Sequence, residues 1–142
     1  MTTHPRQRET AKVFRITLKS DPKNIHRVEE FLIRMNSSLH LDDEKFGSLM
    51  VVVTEAVNNA IIHGNKRNPA KKVIVTGKRR GHALTITVKD EGKGFDPGAI
   101  PSPIHEENLL RESGRGVFLM HQLMEKVRFN AHGNEVTMTM TI

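Results

Sequence analysis

Glu55, Asn59 and His63 follow one another at intervals of four residues within a segment of helical apolar periodicity, so the three project along one stripe of a helix. A carboxylate, an amide and an imidazole are thereby aimed at one line beside the core stripe of that helix. Asp90-Glu-Gly-Lys-Gly94 follows a run of β character. A carboxylate there is a hydrogen-bond acceptor, and Gly92 and Gly94 let the main chain approach a ligand closely. Gly114-Arg-Gly116 opens a further helix, where amide N–H groups, the helix dipole and the Arg115 guanidinium suit an anion. Taken singly, each pattern has a bland explanation: a solvated helix face, a plain turn, a glycine-flanked helix start. Their order along the chain is the specific signal.

The elements that must position these groups are legible in the apolar pattern. Val13 to Leu18 alternates as a half-buried strand, and Asp21-Pro22 opens a helix whose apolar residues Ile25, Val28, Phe31, Leu32 and Met35 recur at helical spacing until Asn36-Ser-Ser closes it. The second helix is expected from a cap at Asp42 to a stop at Gly64. Phe46, Leu49, Met50, Val53, Ala56, Val57, Ala60 and Ile61 form its core stripe. Lys71 to Lys78 and Ala83 to Lys89 form a hairpin turning at Arg79-Arg-Gly-His82. Prolines 97, 101 and 103 break any regular element between Phe95 and Ser113, and a loop that long in a compact domain is functional or disordered. A third helix then runs through about Lys126, with Val117, Met120, Leu123 and Met124 inward. A final hairpin turns at His132-Gly-Asn134, ahead of a strand alternating Val136, Met138, Met140 and Ile142 against threonines. The expected fold is an α/β two-layer sandwich: a mostly antiparallel sheet of about five strands with three helices on its single apolar face.

Length and composition restrict what such a domain does. With 142 residues, 37% of them hydrophobic and 27% charged, the chain is one ordinary globular domain, residues 13–142 behind a flexible tail of residues 1–12. No cysteine is present, which removes disulfides, thiolate catalysis and cysteine-ligated zinc. The longest unbroken apolar run, Leu49 to Val53, is far short of the roughly 20 residues a membrane span needs, and the polar start carries no secretory core, so a cytoplasmic protein without a membrane role is expected. The net charge is +6, yet the basic residues Lys66, Arg67, Lys71, Lys72 and Lys78-Arg79-Arg80 have no aromatic residues among them, and Trp and Tyr are absent. Stacking on nucleic acid is poorly provided for, and an acidic protein partner or plain solvent is the better reading.

The three motifs resemble a known superfamily. Thr54-Glu-Ala-Val-Asn-Asn-Ala-Ile-Ile-His-Gly64 looks like the N box of the GHKL ATPases, Asp90-Glu-Gly-Lys-Gly-Phe-Asp-Pro97 like their G1 box, and Ser113-Gly-Arg-Gly-Val-Phe-Leu-Met120 like their G2 box. Within that superfamily the wording of the boxes and the small size are similar to the anti-sigma-factor serine kinases of bacterial partner switching. The resemblance implies that Asn59 holds Mg²⁺ against the phosphates of ATP and that Glu55 is the general base. It implies that Asp90 accepts the adenine amino group, with Gly92 and Gly94 making room for the base. Gly114, Arg115, Gly116 and Val117 then lie at the nucleotide, His63 shapes the pocket, and residues 96–113 form the ATP lid. The implied cofactors are ATP and Mg²⁺. The implied partners are a sigma factor and an anti-anti-sigma protein of the STAS type, and the implied assembly is a homodimer. Where the family carries a threonine before its last strand this chain reads Gly133-Asn134-Glu135, and Asn134 is the residue expected to stand in for it.

Two other functions fit the same motifs. One is a nucleotide-binding anti-sigma module that captures its partner without phosphoryl transfer, and the other is a detached histidine-kinase ATPase domain. Glu55 speaks against the first, since a pure binder has no need of a base. The chain has no room for a helical dimerisation domain, which speaks against the second.

Overall fold

The computed structural model describes residues 11–93 and 112–142. Strand β1 (Lys12–Lys19) turns Phe14, Ile16 and Leu18 inward. The Asp21 side chain then accepts the Lys23 N–H at 3.0 Å and caps a single 3₁₀ turn, Pro22–Asn24, that feeds helix α1 (Ile25–Leu39). This helix outlasts the expected stop at Asn36. It ends where His40 takes a left-handed backbone (φ 53°), with Asn36 accepting the His40 N–H on its carbonyl and the Leu41 N–H on its side chain.

Helix α2 (Asp43–Asn59) starts as expected, with the Asp42 carboxylate accepting the Lys45 N–H at 2.8 Å. Leu49, Val52, Val53, Ala56 and Val57 are buried. From Ala60 to Gly64 the helix widens into a π-turn, closed by the Asn65 N–H on the Ala60 carbonyl. The helix ends at Gly64 as expected, but without a left-handed glycine cap. Gly64 does not have positive φ; the left-handed residues are Lys66 (φ 51°) and Arg67 (φ 59°). With its π-turn this helix, Asp43–Gly64, is long and apolar enough to cross a membrane, but its apolar stripe is the centre of the core.

Strands β2 (Lys72–Arg80) and β3 (Ala83–Lys89) are joined by the two-residue loop Gly81-His82, Gly81 supplying the positive φ of 60° that a tight hairpin requires. Helix α3 (Glu112–Leu123) already contains Gly114-Arg-Gly116, which therefore lie within the helix. It stops three residues before the expected end, because Lys126 opens strand β4 (Lys126–Phe129) against β5 (Glu135–Thr141). The sheet order is β1-β2-β3-β5-β4 with every neighbour antiparallel. Inward residues of the four long strands pack beneath the three helices, α2 lying between α1 and α3. The expected two-layer sandwich is what the structure shows. The tail is described only from residue 11, with Lys12 already in β1, and the lid expectation falls mostly outside the described residues.

Candidate nucleotide site

Glu55 and Asn59 lie on α2 beside its core stripe, both half-buried. They meet the first part of α3 at Gly116. A methyl group on Gly116 would stand 3.0 Å from Glu55 Oε2 and 3.2 Å from Asn59 Nδ2. A glycine there lets α3 approach the polar pair of α2, bringing together two motifs that lie more than fifty residues apart in sequence. Val117 is buried next to it, whereas Arg115 is exposed.

His63 follows on the π-turn, where it is exposed. The four-residue spacing does bring Glu55 and Asn59 together at Gly116.

The π-turn delivers Gly64 to Asp90. A Cβ on Gly64 would lie 2.5 Å from Asp90 Cγ and 2.7 Å from Oδ1, and one on Gly92 would lie 2.9 Å from that same Oδ1 while colliding with the Gly64 carbonyl. Two glycines thus let the main chain close around one carboxyl group. The Gly92 N–H donates to Asp90 Oδ1 at 2.8 Å. Asp90 is 8% exposed, and burial holds its carboxyl above the ordinary carboxylate range, against the opposing pull of the Gly92 hydrogen bond and the Lys71 charge. A buried acceptor of this kind is suited to a ligand's N–H donor. Gly94 lies outside the described residues.

Asn134 contributes differently from expectation. Its side chain is engaged in the β4–β5 turn, where Oδ1 accepts Asn130 Nδ2 at 2.5 Å, and it is the Asn134 carbonyl that reaches the motif, accepting the Asp90 N–H at 2.9 Å. Sequence reasoning missed Ser20 and Asn65 altogether. Asn65 bonds to Ser20, 45 residues earlier in the chain, and to Glu91, 26 residues later, and no local pattern announces such partners.

Among the described residues no three His, Cys, Asp or Glu side chains gather into a metal cage. Asn59 offers one hard amide oxygen. Mg²⁺ keeps most of its waters and takes few protein ligands, so this sparse donor set fits a magnesium ion completed by phosphate oxygens.

An antiparallel sheet roofed by three helices, with an acid–amide pair on the central helix and a glycine-enclosed carboxyl group at the end of β3, is the frame of a GHKL-type ATPase. The sequence profile of the family described as histidine kinase-like ATPase domain matches residues 18–140, and the chain belongs to that family. It is 30% identical over 112 residues to the anti-sigma F factor of Anoxybacillus flavithermus, covering 78% of this chain and 74% of that one. It is 26% identical over 140 residues to the serine-protein kinase RsbW of Bacillus subtilis, covering 94% and 87% respectively. Among solved structures, the RsbU and RsbW domains of a Mycobacterium tuberculosis protein superpose with a TM-score of 0.65 at 17% identity, a likeness of fold that spans 92% of this chain and 32% of that longer one.

Proposed function

We propose that this chain is a cytoplasmic, ATP- and Mg²⁺-dependent protein serine/threonine kinase that also acts as an anti-sigma factor. Its phosphoacceptor is an anti-anti-sigma partner of the STAS type, and the working assembly is a homodimer. Relatives named anti-sigma F factor and serine-protein kinase support both halves of the reading. The observation that carries the enzymatic half is the convergence of Glu55 and Asn59 on Gly116.

In this reading Asp90 accepts the adenine amino group, Asn59 holds the magnesium ion, and Glu55, one helical turn from Asn59, removes the proton from the attacking hydroxyl. Gly116 keeps α3 close to both residues. The magnesium ion, when bound, neutralises phosphate charge during transfer. A base so placed contributes on the order of 10² to 10⁴ in rate.

Incubation with γ-labelled ATP and a purified STAS-domain acceptor tests the proposal. Label is expected on a serine or threonine of the acceptor, dependent on Mg²⁺. Firm ATP binding with no transfer to any STAS acceptor encoded near this gene would leave a binding module in place of the kinase.

A further inference from the structure

Ser20, Asn65 and Asp90 are the buried polar or charged side chains among the described residues, and the hydrogen bonds of Ser20 and Asn65 run to the Glu91 N–H on the peptide that leaves Asp90. Asn65, 1% exposed, uses both ends of its amide. Nδ2 donates to Ser20 Oγ at 2.7 Å and to the Lys72 carbonyl at 3.0 Å, while Oδ1 accepts the Glu91 N–H at 2.8 Å. Glu91 returns the tie, Oε2 accepting the Lys72 N–H at 2.6 Å. The end of β1, the end of the π-turn, the start of β2 and the Asp90–Gly92 segment are thereby joined through one side chain.

The bond to Glu91 has a particular place. The Glu91 N–H belongs to the peptide that leaves Asp90, and the Asp90 N–H belongs to the peptide that enters it. Asn65 holds the first and the Asn134 carbonyl holds the second. Asp90 is clamped on both sides, so the direction of its Cα–Cβ bond is fixed by groups outside its own segment.

We propose that Asn65 is a positioning residue for base selection: by clamping the peptide that follows Asp90, it aims the carboxylate at an exocyclic amino group, so that a purine carrying a carbonyl oxygen at that position is rejected. The inference deepens the ATP reading above and rests on Asp90 being the adenine acceptor. Adenine presents an amino donor where guanine presents a carbonyl acceptor. A site built around a buried hydrogen-bonding group discriminates strongly against a ligand that leaves it unpaired, provided the group cannot swing away. Removing the clamp supplies that freedom.

The test is the ratio of Mg-ATP to Mg-GTP affinity by calorimetry on the whole chain. The wild type is expected to prefer ATP at least about 100-fold, well inside what such a site delivers. Asn65→Ala and Asn65→Ser should drop the preference below about 10-fold by weakening ATP binding while GTP binding stays level. Ser20→Ala weakens the same buried network but leaves the Glu91 bond in place, so it should lower the melting temperature and keep the preference. Asp90→Ala separates the two layers of the argument. A wild type without preference, or an Asp90→Ala variant that retains it, defeats the adenine reading and this inference together. Loss of preference in Asp90→Ala with retention in both Asn65 variants overturns the inference alone, as does collapse of the ratio in Ser20→Ala. If the alanine variant at position 65 does not fold, the serine variant decides.

Discussion

Replacing Gly64 by alanine would place a methyl carbon 2.5 Å from Asp90 Cγ, where carbon atoms sit comfortably no closer than about 3.5 Å. Asp90 must therefore retreat by about 1 Å, enough to break its 2.8 Å hydrogen bond from the Gly92 N–H. Loss of a hydrogen bond to a charged acceptor costs about 1.5–3 kcal/mol, and overpacking a full site adds about 1–3 kcal/mol. Alanine regains about 1 kcal/mol over glycine in a helical turn. The net destabilisation is about 1.5–5 kcal/mol, which in a chain of this length lowers the melting temperature by about 5–15 °C. A double-mutant cycle tests the cause. In an Asp90→Ala background the obstructing group is gone, so Gly64→Ala should be neutral or slightly stabilising there, giving a coupling energy of about 1.5–6 kcal/mol by urea denaturation. Equal destabilisation in both backgrounds, with coupling below about 0.5 kcal/mol, would refute the reasoning.

Glu55→Ala should leave ATP affinity within a few fold and reduce transfer to a STAS acceptor by roughly 10² or more; transfer at the wild-type rate would remove Glu55 from the base role. Asn59→Ala should abolish the Mg²⁺-dependent part of ATP binding with little change in melting temperature, since the side chain lies off the core stripe, and calorimetry with and without Mg²⁺ reads it directly. Asp90→Asn bears on pH. Burial raises the carboxyl pKa in the folded state, so the folded protein holds a proton that the unfolded chain releases near pH 3.9. The resulting penalty sets in as the pH rises past that value and is complete above the folded pKa. The asparagine variant should melt higher than wild type near neutrality, melt alike below about pH 3, and bind ATP poorly; a variant that is less stable than wild type at neutral pH contradicts the cause assigned to the shift.

What the sequence disclosed follows from the range over which each feature is determined. Glu55 and Asn59 were visible because an α-helix converts four-residue spacing into adjacency. The widening of the helix into a π-turn after Asn59 was not visible, a change no residue type signals. Met124 and Val127 extend the apolar spacing of α3, which explains the misplaced end of that helix; Val127 in fact pairs with Met138 across the β4–β5 ladder. Gly64 does end the helix as expected, but its close approach to Asp90 was not visible. A glycine that ends a helix and a glycine that admits a buried carboxylate look alike until the carboxylate's position is known. Asn65 and Ser20 stayed hidden because their significance lies wholly in contacts between distant segments.

The sheet order also governs when the molecule takes shape. β1 pairs with β2 in a register joining Lys19 to Lys72 and Lys12 to Arg79, so both α1 and α2 lie inside the loop that this pairing closes. Closing so long a loop loses more chain entropy than forming the two hairpins, β2–β3 and β4–β5, whose strands are neighbours in sequence. On a ribosome the first half of the chain emerges with β1 unpaired and the apolar stripe of α2 uncovered, and neither finds its place until β2 and β3 have followed. β1 and the two helices behind it therefore wait on β2, although they precede it in the chain.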